Sequence, residues 1–390
     1  MITVSETPEA SEVPAAKPGE FSALRLGRHR LWPPTVLAPM AGVTNAPFRI
    51  LCRRFGAGLC ISEMVTVRPL VEGNPKTWRL ATFVNGEFPR SQQLYGVDPY
   101  WVGEAVKRLV GEDRVDHLDL NFGCPVRKVT RLGGGAALPH RPRLLARIVS
   151  AAVAAAGEIP VSIKFRMGID DEHLSYLDTG RIAQDCGCVA VTLHARTAAQ
   201  GYEGAACWAA IGALKDQLSI NVLGNGDIWE AADAIRMMRS THCDGVVVGR
   251  GCLGRPWLFE DLARMYSGQR PAPAPRLGTV VDLMLEHATV LSKWSGEAPG
   301  MRAFRKHATW YTKGFRSSAL LRERLTRVES LDELRNLLAC VDREIQFPKV
   351  ALRAPRAKSS RNGTVALPPG YLDDPDAMGL PAAETCADGG

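Results

Sequence analysis

The 390-residue chain is 46% hydrophobic, carries a formal net charge of +7 and contains 37 glycines and ten cysteines. That composition supports a sizeable core, and no apolar run approaches the ~18 residues of a membrane span. Residues 1–20 show no basic segment followed by an apolar one, so no signal peptide is legible. None of the cysteines stands at Cys-x-x-Cys spacing, which argues against a structural metal or dithiol site and for a reduced, cytoplasmic setting.

Residues 1–20 are rich in Glu, Pro, Ala and Ser and read as disordered. Short apolar runs then begin at Thr35, Leu59, Arg90, His117, Val161, Val189, Ile220 and Gly245, each ended by Gly or Pro and a polar residue. Helical stretches such as 99–109, 143–156, 176–186 and 228–238 separate most of them. Eight strands alternating with helices predict an α/β chain, a (β/α)8 TIM barrel over residues 21–266. A proline-rich linker (267–278) follows, then a small all-helical domain (279–348) with helices over 279–298, 301–313 and 317–345, and a disordered tail (349–390).

The polar residues of the eight runs fall at the same place, the C-terminal end of each strand. They are Pro39-Met40-Ala41, Glu63, Gln93, Asn121 with Cys124, Lys164 with Arg166, His194 with Arg196, Asn225-Gly226-Asp227 and Gly249-Arg250. In a parallel barrel these ends form one rim, so the pattern describes one site built from eight loops. Cys124 sits in Asn121-Phe-Gly-Cys-Pro, a bent turn after the fourth strand. A thiol held there can be a nucleophile, a metal ligand or a proton donor. Nothing near it supplies further metal ligands, so no metal is expected.

Glycine-rich turns after the seventh and eighth strands, Gly224-Asn-Gly-Asp and Gly249-Arg-Gly, suit a phosphate held by backbone N–H groups and a helix N-terminus, with Arg250 adding a bidentate contact. Pro39-Met-Ala offers a small ledge for a flat ring. Lys164, at the end of a buried strand, needs an anionic partner to offset desolvation. Gln93 can hydrogen-bond an amide-like ring edge, or it can be a satisfied core amide. Together these features describe flavin mononucleotide (FMN), with Cys124 opposite as general acid for reduction of an activated C=C bond.

In Leu37-Ala-Pro-Met-Ala-Gly-Val-Thr-Asn-Ala-Pro-Phe-Arg49, Gln93-Leu-Tyr-Gly, Asn121-Phe-Gly-Cys-Pro, Lys164-Phe-Arg-Met-Gly, Leu193-His-Ala-Arg-Thr, Gly224-Asn-Gly-Asp-Ile and Gly249-Arg-Gly-Cys-Leu-Gly-Arg-Pro-Trp-Leu-Phe, the chain resembles the tRNA-dihydrouridine synthase family, in particular its bacterial B-type branch. The resemblance spans residues ~35–345. It implies FMN bound through Pro39, Met40, Ala41, Gln93, Lys164, Asn225, Gly226, Asp227, Gly249 and Arg250. It further implies hydride from reduced FMN to C6 of uracil, a proton from Cys124 to C5, and NADPH as reductant. Asn121, Arg166, His194 and Arg196 would lie near the flavin or target base, although His194 reads equally as a rim histidine without chemical part. Departures are small: His194-Ala-Arg stands for the usual His-Gly-Arg, and Tyr95 for a common Phe.

Residues 301–330 hold eight Lys/Arg against two Glu, interleaved with Phe304, Trp310, Tyr311 and Phe315. Basic and stacking side chains together suit RNA, although a charge run alone is usually a solvated helix face. Arg302, Arg305, Lys306, His307, Lys313 and Arg316 are the expected phosphate contacts. The partner implied is tRNA, with no membrane and no DNA, and the family resemblance favours a monomer. Two other readings stay open: an FMN barrel acting on free pyrimidines or dihydroorotate, and a non-catalytic RNA-binding barrel.

Overall fold

The computed structural model describes residues 13–315, 318–357 and 363–379. An antiparallel hairpin, β1 (Leu24–Leu26) and β2 (His29–Leu31), precedes eight strands: β3 (Thr35–Leu37), β4 (Leu59–Thr66), β5 (Ser91–Tyr95), β6 (His117–Phe122), β7 (Val161–Arg166), β8 (Ala190–His194), β9 (Asn221–Asn225) and β10 (Gly245–Val248). The eight are parallel and close in the order β10-β3-β4-β5-β6-β7-β8-β9. This is the TIM barrel expected, with a strand in each of the eight apolar runs.

Alternation along the strands decides what faces where. In β6, Leu118, Leu120 and Phe122 join the core beneath the outer helices, leaving His117, Asp119 and Asn121 on the other face. In β7, Val161, Ile163 and Phe165 do the same and leave Ser162, Lys164 and Arg166. The register then sets Gln93 beside Asp119, Asp119 beside Ser162, Asn121 beside Lys164, Arg166 beside His194 and His194 beside Asn225. One side of the barrel interior is therefore polar. The opposite side, at β3, β4, β9 and β10, is filled by Val36, Ala38, Leu59, Ile61, Leu223 and Val247, against which Leu24, Leu26 and Leu31 of the hairpin pack. The hairpin thus plugs the end of the barrel where the strands begin, away from the rim.

The helical domain begins earlier than predicted, at the helix Leu277–Ser295, and continues through Glu297–Tyr311, Ser318–Leu325 and Leu331–Ala339. Gly300 lets the first two helices approach closely, since a Cβ there would lie 2.7 Å from Ser292 Cα. Gly254, after β10, does the same for the domain junction. A Cβ there would stand 2.3 Å from the Trp310 carbonyl carbon, and its φ of +64° favours glycine. Phe48, Met284, Phe304 and Tyr311 belong to one apolar core shared by the barrel and the helices. At about 1.5–3 kcal/mol for each large side chain buried, that shared core holds the two parts as one body.

Both predicted disordered ends need correction over their described residues. At the start, the Ala16 N–H donates to Met265 O (2.9 Å) and Glu20 pairs with Arg239 (2.6 Å); residues 1–12 lie outside the described set. At the end, Ala351, Arg356 and Tyr371 are buried against the barrel and the helices. These segments have irregular backbone, and a few large side chains anchor them where no helical or strand period exists.

Candidate active site

A buried hydrogen-bond relay runs across β7, β6 and β5 to the Cys124 loop. Ser162 Oγ donates to Asp119 Oδ1 (2.6 Å), and Gln93 Nε2 donates to Asp119 Oδ2 (2.7 Å). Asn121 Nδ2 donates to Gln93 Oε1 (2.9 Å). Asn121 Oδ1 then accepts from the backbone N–H groups of Gly123 (3.2 Å) and Cys124 (3.0 Å). Each step follows from the strand register, and its result is a fixed turn after β6. Arg166 braces the same turn from β7: its Nε donates to Gly123 O (3.1 Å), and its Nη1 to Thr197 O and Gly201 O (2.8 and 2.9 Å).

Electrostatics at the relay favour a protonated thiol. Burial pushes the Cys124 thiol up, against the Val126 N–H and the charges of Arg166 and Lys128. Burial also pushes the Asp119 carboxyl up to about 6, although Ser162, Gln93 and Lys164 favour its ionised form. Lys164 is driven down to about 8 by desolvation and the Arg166 charge, with Asp119 opposing.

Beside this turn, a cleft open to solvent lies between the ends of β7 to β10 and β3. Pro39, Met40, Lys164, Asn225, Gly226, Asp227, Gly249 and Arg250 line it, as do His194 and Arg196. These expected residues therefore come together. The Lys164 ammonium has no ion pair or hydrogen bond among the described residues, although Asp119 acts on it electrostatically. The Arg250 guanidinium has no hydrogen bond there either, and lies 4.0 Å from the Tyr202 ring centroid and 5.3 Å from that of Trp229. His194 is held far below its ordinary value by burial and by four surrounding cations, so its imidazole is neutral. Arg196 Nη2 grips both Asp227 oxygens (2.7 and 2.8 Å), while its buried Nη1 has no partner among the described residues. Asp227 also accepts from the Ala206 N–H (2.7 Å) and holds a left-handed φ of +54°.

Several expectations change. Gln93 is buried and its amide joins Asp119 to Asn121 instead of lining the cleft. Asn121 likewise shapes the Cys124 turn, and Arg166 is committed to backbone carbonyls. Ala41 is exposed and outside the lining. The helix N-terminus expected to take a phosphate is occupied by its own cap: Glu230 and Asp233 form a capping box on the helix Ala231–Thr241, and Arg353 pairs with both. After β10 the chain makes a three-residue turn, Arg250–Cys252, and the next helix begins only at Leu258. Any anion there would be held by side chains and turn amides.

The basic helix is also rearranged. His307 is completely buried among Phe48, His287 and Trp310, so it cannot touch a phosphate. Lys306 reaches over to Gly42 O, whose own N–H donates to buried Glu63. Lys313 donates to Pro355 O, and Arg305 to Val328 O (2.9 Å). Arg302 is exposed, and Arg316 lies outside the described residues. Sequence reasoning missed Asp119 and Ser162 in the relay and the aromatics Tyr202 and Trp229. The alternation His117/Asp119/Asn121 was the available signal for Asp119.

Fold and site together define a TIM-barrel enzyme with a positioned thiol beside a cationic rim cleft. Comparison with known proteins gives the family: the dihydrouridine synthase (Dus) family model matches residues 36–346, and the chain belongs to that family. It is 50% identical over 380 residues to a probable tRNA-dihydrouridine synthase of Mycobacterium tuberculosis (strain ATCC 25618 / H37Rv), covering 94% of this chain and 97% of that one. It is 39% identical over 313 residues to tRNA-dihydrouridine synthase B of Xanthomonas axonopodis pv. citri (strain 306), covering 79% and 92%. The crystal structure of TcOYE with pHBA matches with a TM-score of 0.50 at 11% identity, over 64% of this chain and 94% of that one, which shows the barrel fold alone.

Proposed function

We propose that the chain reduces the C5=C6 bond of particular uridines in tRNA to 5,6-dihydrouridine, using FMN held in the rim cleft. The observation that carries the reading is the cleft's incompletely paired charge: Lys164 and Arg250 are desolvated cations whose side chains make no ion pair or hydrogen bond among the described residues, with only the Asp119 and Asp227 carboxylates opposing at longer range. Such groups destabilise a fold unless a ligand completes them. The buried Nη1 of Arg196, without a partner among the described residues, and the uncrowded backbone at Gly249 fit the same anionic, ring-bearing group. Pro39 and Met40 would hold its ring, Lys164 its electron-rich edge, and Arg250 with the Gly226 and Gly249 turns its phosphate. When bound, the flavin, recharged by NADPH, supplies the hydride taken up at C6.

Cys124 supplies the proton. Its Sγ–H is kept protonated by burial and aimed by the Asn121 and Arg166 contacts, so it can protonate C5 as general acid. Neutral His194 leaves the cationic charge to Lys164 and the arginines. A uracil inside folded tRNA must be turned out to reach the rim. Arg302, exposed on the helix Glu297–Tyr311, is among the described residues the expected phosphate contact that no protein carbonyl or carboxylate occupies. We place the protein in the cytoplasm as a monomer, where its free cysteines stay reduced.

The test compares wild type with Cys124→Ala. Both are purified, checked by absorbance for bound flavin, and incubated with NADPH and unmodified tRNA. Digested nucleosides are then scanned for a uridine heavier by two hydrogens. The expected outcome is yellow protein in both and the heavier uridine in wild type alone. Reduction of free pyrimidines with tRNA left untouched would replace this reading with a free-base enzyme, and a colourless wild type would remove the flavin.

A further inference from the structure

After Phe347 the chain returns across the rim, in a segment beyond the last residue matched by the dihydrouridine synthase family. Its path is set by discrete anchors. Arg255 Nη1 donates to Leu352 O (2.5 Å), and Arg353 pairs with Glu230 (2.8 Å) and Asp233 (3.1 Å) on the helix after β9. The Gly363 N–H donates to Ala199 O (3.3 Å) in the loop after β8. Tyr371 then inserts behind the loop after β6. It is 5% exposed, its phenol donates to Gly133 O (3.0 Å), and Arg141 caps it by stacking 4.5 Å from the ring and donating to Tyr371 O (3.0 Å).

What Tyr371 grips is the return limb of the Cys124 loop. Residues 133–135 are three consecutive glycines, a stretch with little conformational preference of its own. Yet they pack hard on the thiol's backbone: a Cβ on Gly135 would lie 2.4 Å from Cys124 O, and the Ala136 N–H donates to that same oxygen (3.0 Å). The relay through Asn121 fixes the outgoing limb of the turn. The returning limb is packed by side chains, with the Tyr95 hydroxyl against Gly134 and Val129 against Gly135, and Tyr371 adds the side-chain hydrogen bond that holds the Gly133 carbonyl.

We propose that the described residues 349–357 and 363–379 run over the rim loops and that Tyr371 is a positioning residue for Cys124, acting through Gly133 and the triple-glycine limb. The proposal rests on Cys124 being the proton donor. The phenol hydrogen bond and the ring have separable roles, since the ring fills the site behind the loop and only the hydroxyl holds Gly133.

Tyr371→Phe keeps the ring and removes the bond. The experiment measures four quantities in wild type and the variant: bound flavin, melting temperature, kcat and KM for tRNA, and iodoacetamide alkylation of Cys124 by peptide mass. The exposed Cys207 and Cys340 serve as internal references. The expected result is about a fivefold fall in kcat, the weight of one neutral hydrogen bond, and a similar rise in Cys124 alkylation over the references, with KM and flavin content unchanged. Tyr371→Ala should move both readouts further in the same direction. A lower melting temperature with kcat and Cys124 alkylation unchanged would overturn the proposal and leave these residues a stabilising element. Faster alkylation without a change in kcat would also overturn it. Cys124→Ala separates the two hypotheses: retained turnover there defeats the proton-donor reading, whereas the alkylation response to Tyr371, read in the Cys124 protein, does not depend on turnover.

Discussion

At the rim, Lys164 and Arg250 are desolvated, close to other cations, and without an ion-pair partner among the described residues. On the helical domain, Arg305, Lys306 and Lys313 lie on backbone carbonyls, and His307 is sealed inside the core. The first set carries a desolvation cost that the Asp119 and Asp227 carboxylates offset only in part. The second set is largely structural, joining helix to loop and domain to barrel. The difference teaches that a cation's availability depends on its partners and solvation, and that the number of positive residues in a segment says little about binding.

The comparison predicts its largest effect at Lys164. Lys164→Met should weaken FMN binding by roughly 10–100-fold, the range for losing one charge-assisted hydrogen bond. Arg250→Met should fall in the same range. Fluorescence titration of flavin into flavin-free protein measures both. The sign with pH is fixed by Lys164, whose ammonium loses its proton near pH 8 in the flavin-free protein. Wild-type affinity should therefore fall as pH rises through about 8, and Lys164→Met should be flat there. An equal slope in both proteins would remove Lys164 from the flavin site.

A smaller effect separates the cations of the helical domain. Arg302→Gln should weaken tRNA binding a few-fold and reduce the salt dependence of the binding constant by about one ion. Lys306→Gln should leave that salt slope nearly unchanged and lower the melting temperature instead, because it breaks the tie to Gly42. Binding isotherms at several salt concentrations, beside thermal melts, read both. If Lys306→Gln carries the larger salt effect, the Gly42 contact is not what occupies that ammonium when tRNA is bound.

How far the sequence was legible follows from the same distinction. Strand periods are local, so all eight barrel runs and their polar C-terminal ends could be read directly. So could the gathering of Lys164, Asn225, Gly226, Gly249 and Arg250 at one cleft. The role of Gln93 could not, because its partners Asp119 and Asn121 come from the next strand and only the register sets them opposite. The hairpin β1–β2 was hidden by length, since three-residue strands with Leu-Arg-Leu and His-Arg-Leu carry almost no period. The tail was read as disordered from its Pro, Gly and charge content. Its order comes from Arg353, Arg356 and Tyr371 meeting surfaces that are distant in the chain.

The smallest predicted effect concerns the sealed histidines, and its sign can be worked out. Burial holds His287 down to about 3 and His307 well below its ordinary value, so both stay neutral in the folded protein at moderately acid pH. In the unfolded chain each protonates near pH 6.5. Below that pH the unfolded state therefore binds more protons, and stability falls as pH falls, by about 1.4 kcal/mol per pH unit for each such histidine. Above pH 6.5 the pair contributes no pH dependence. His307 has both ring nitrogens buried without a partner among the described residues, between Phe48 and Trp310. His307→Phe removes two unsatisfied polar atoms and one titration. It should raise the melting temperature slightly at pH 7.5 and flatten the fall between pH 6.5 and 5. An unchanged slope would mean that His307 is protonated equally in both states, and that the helical domain admits solvent where its packing says it does not.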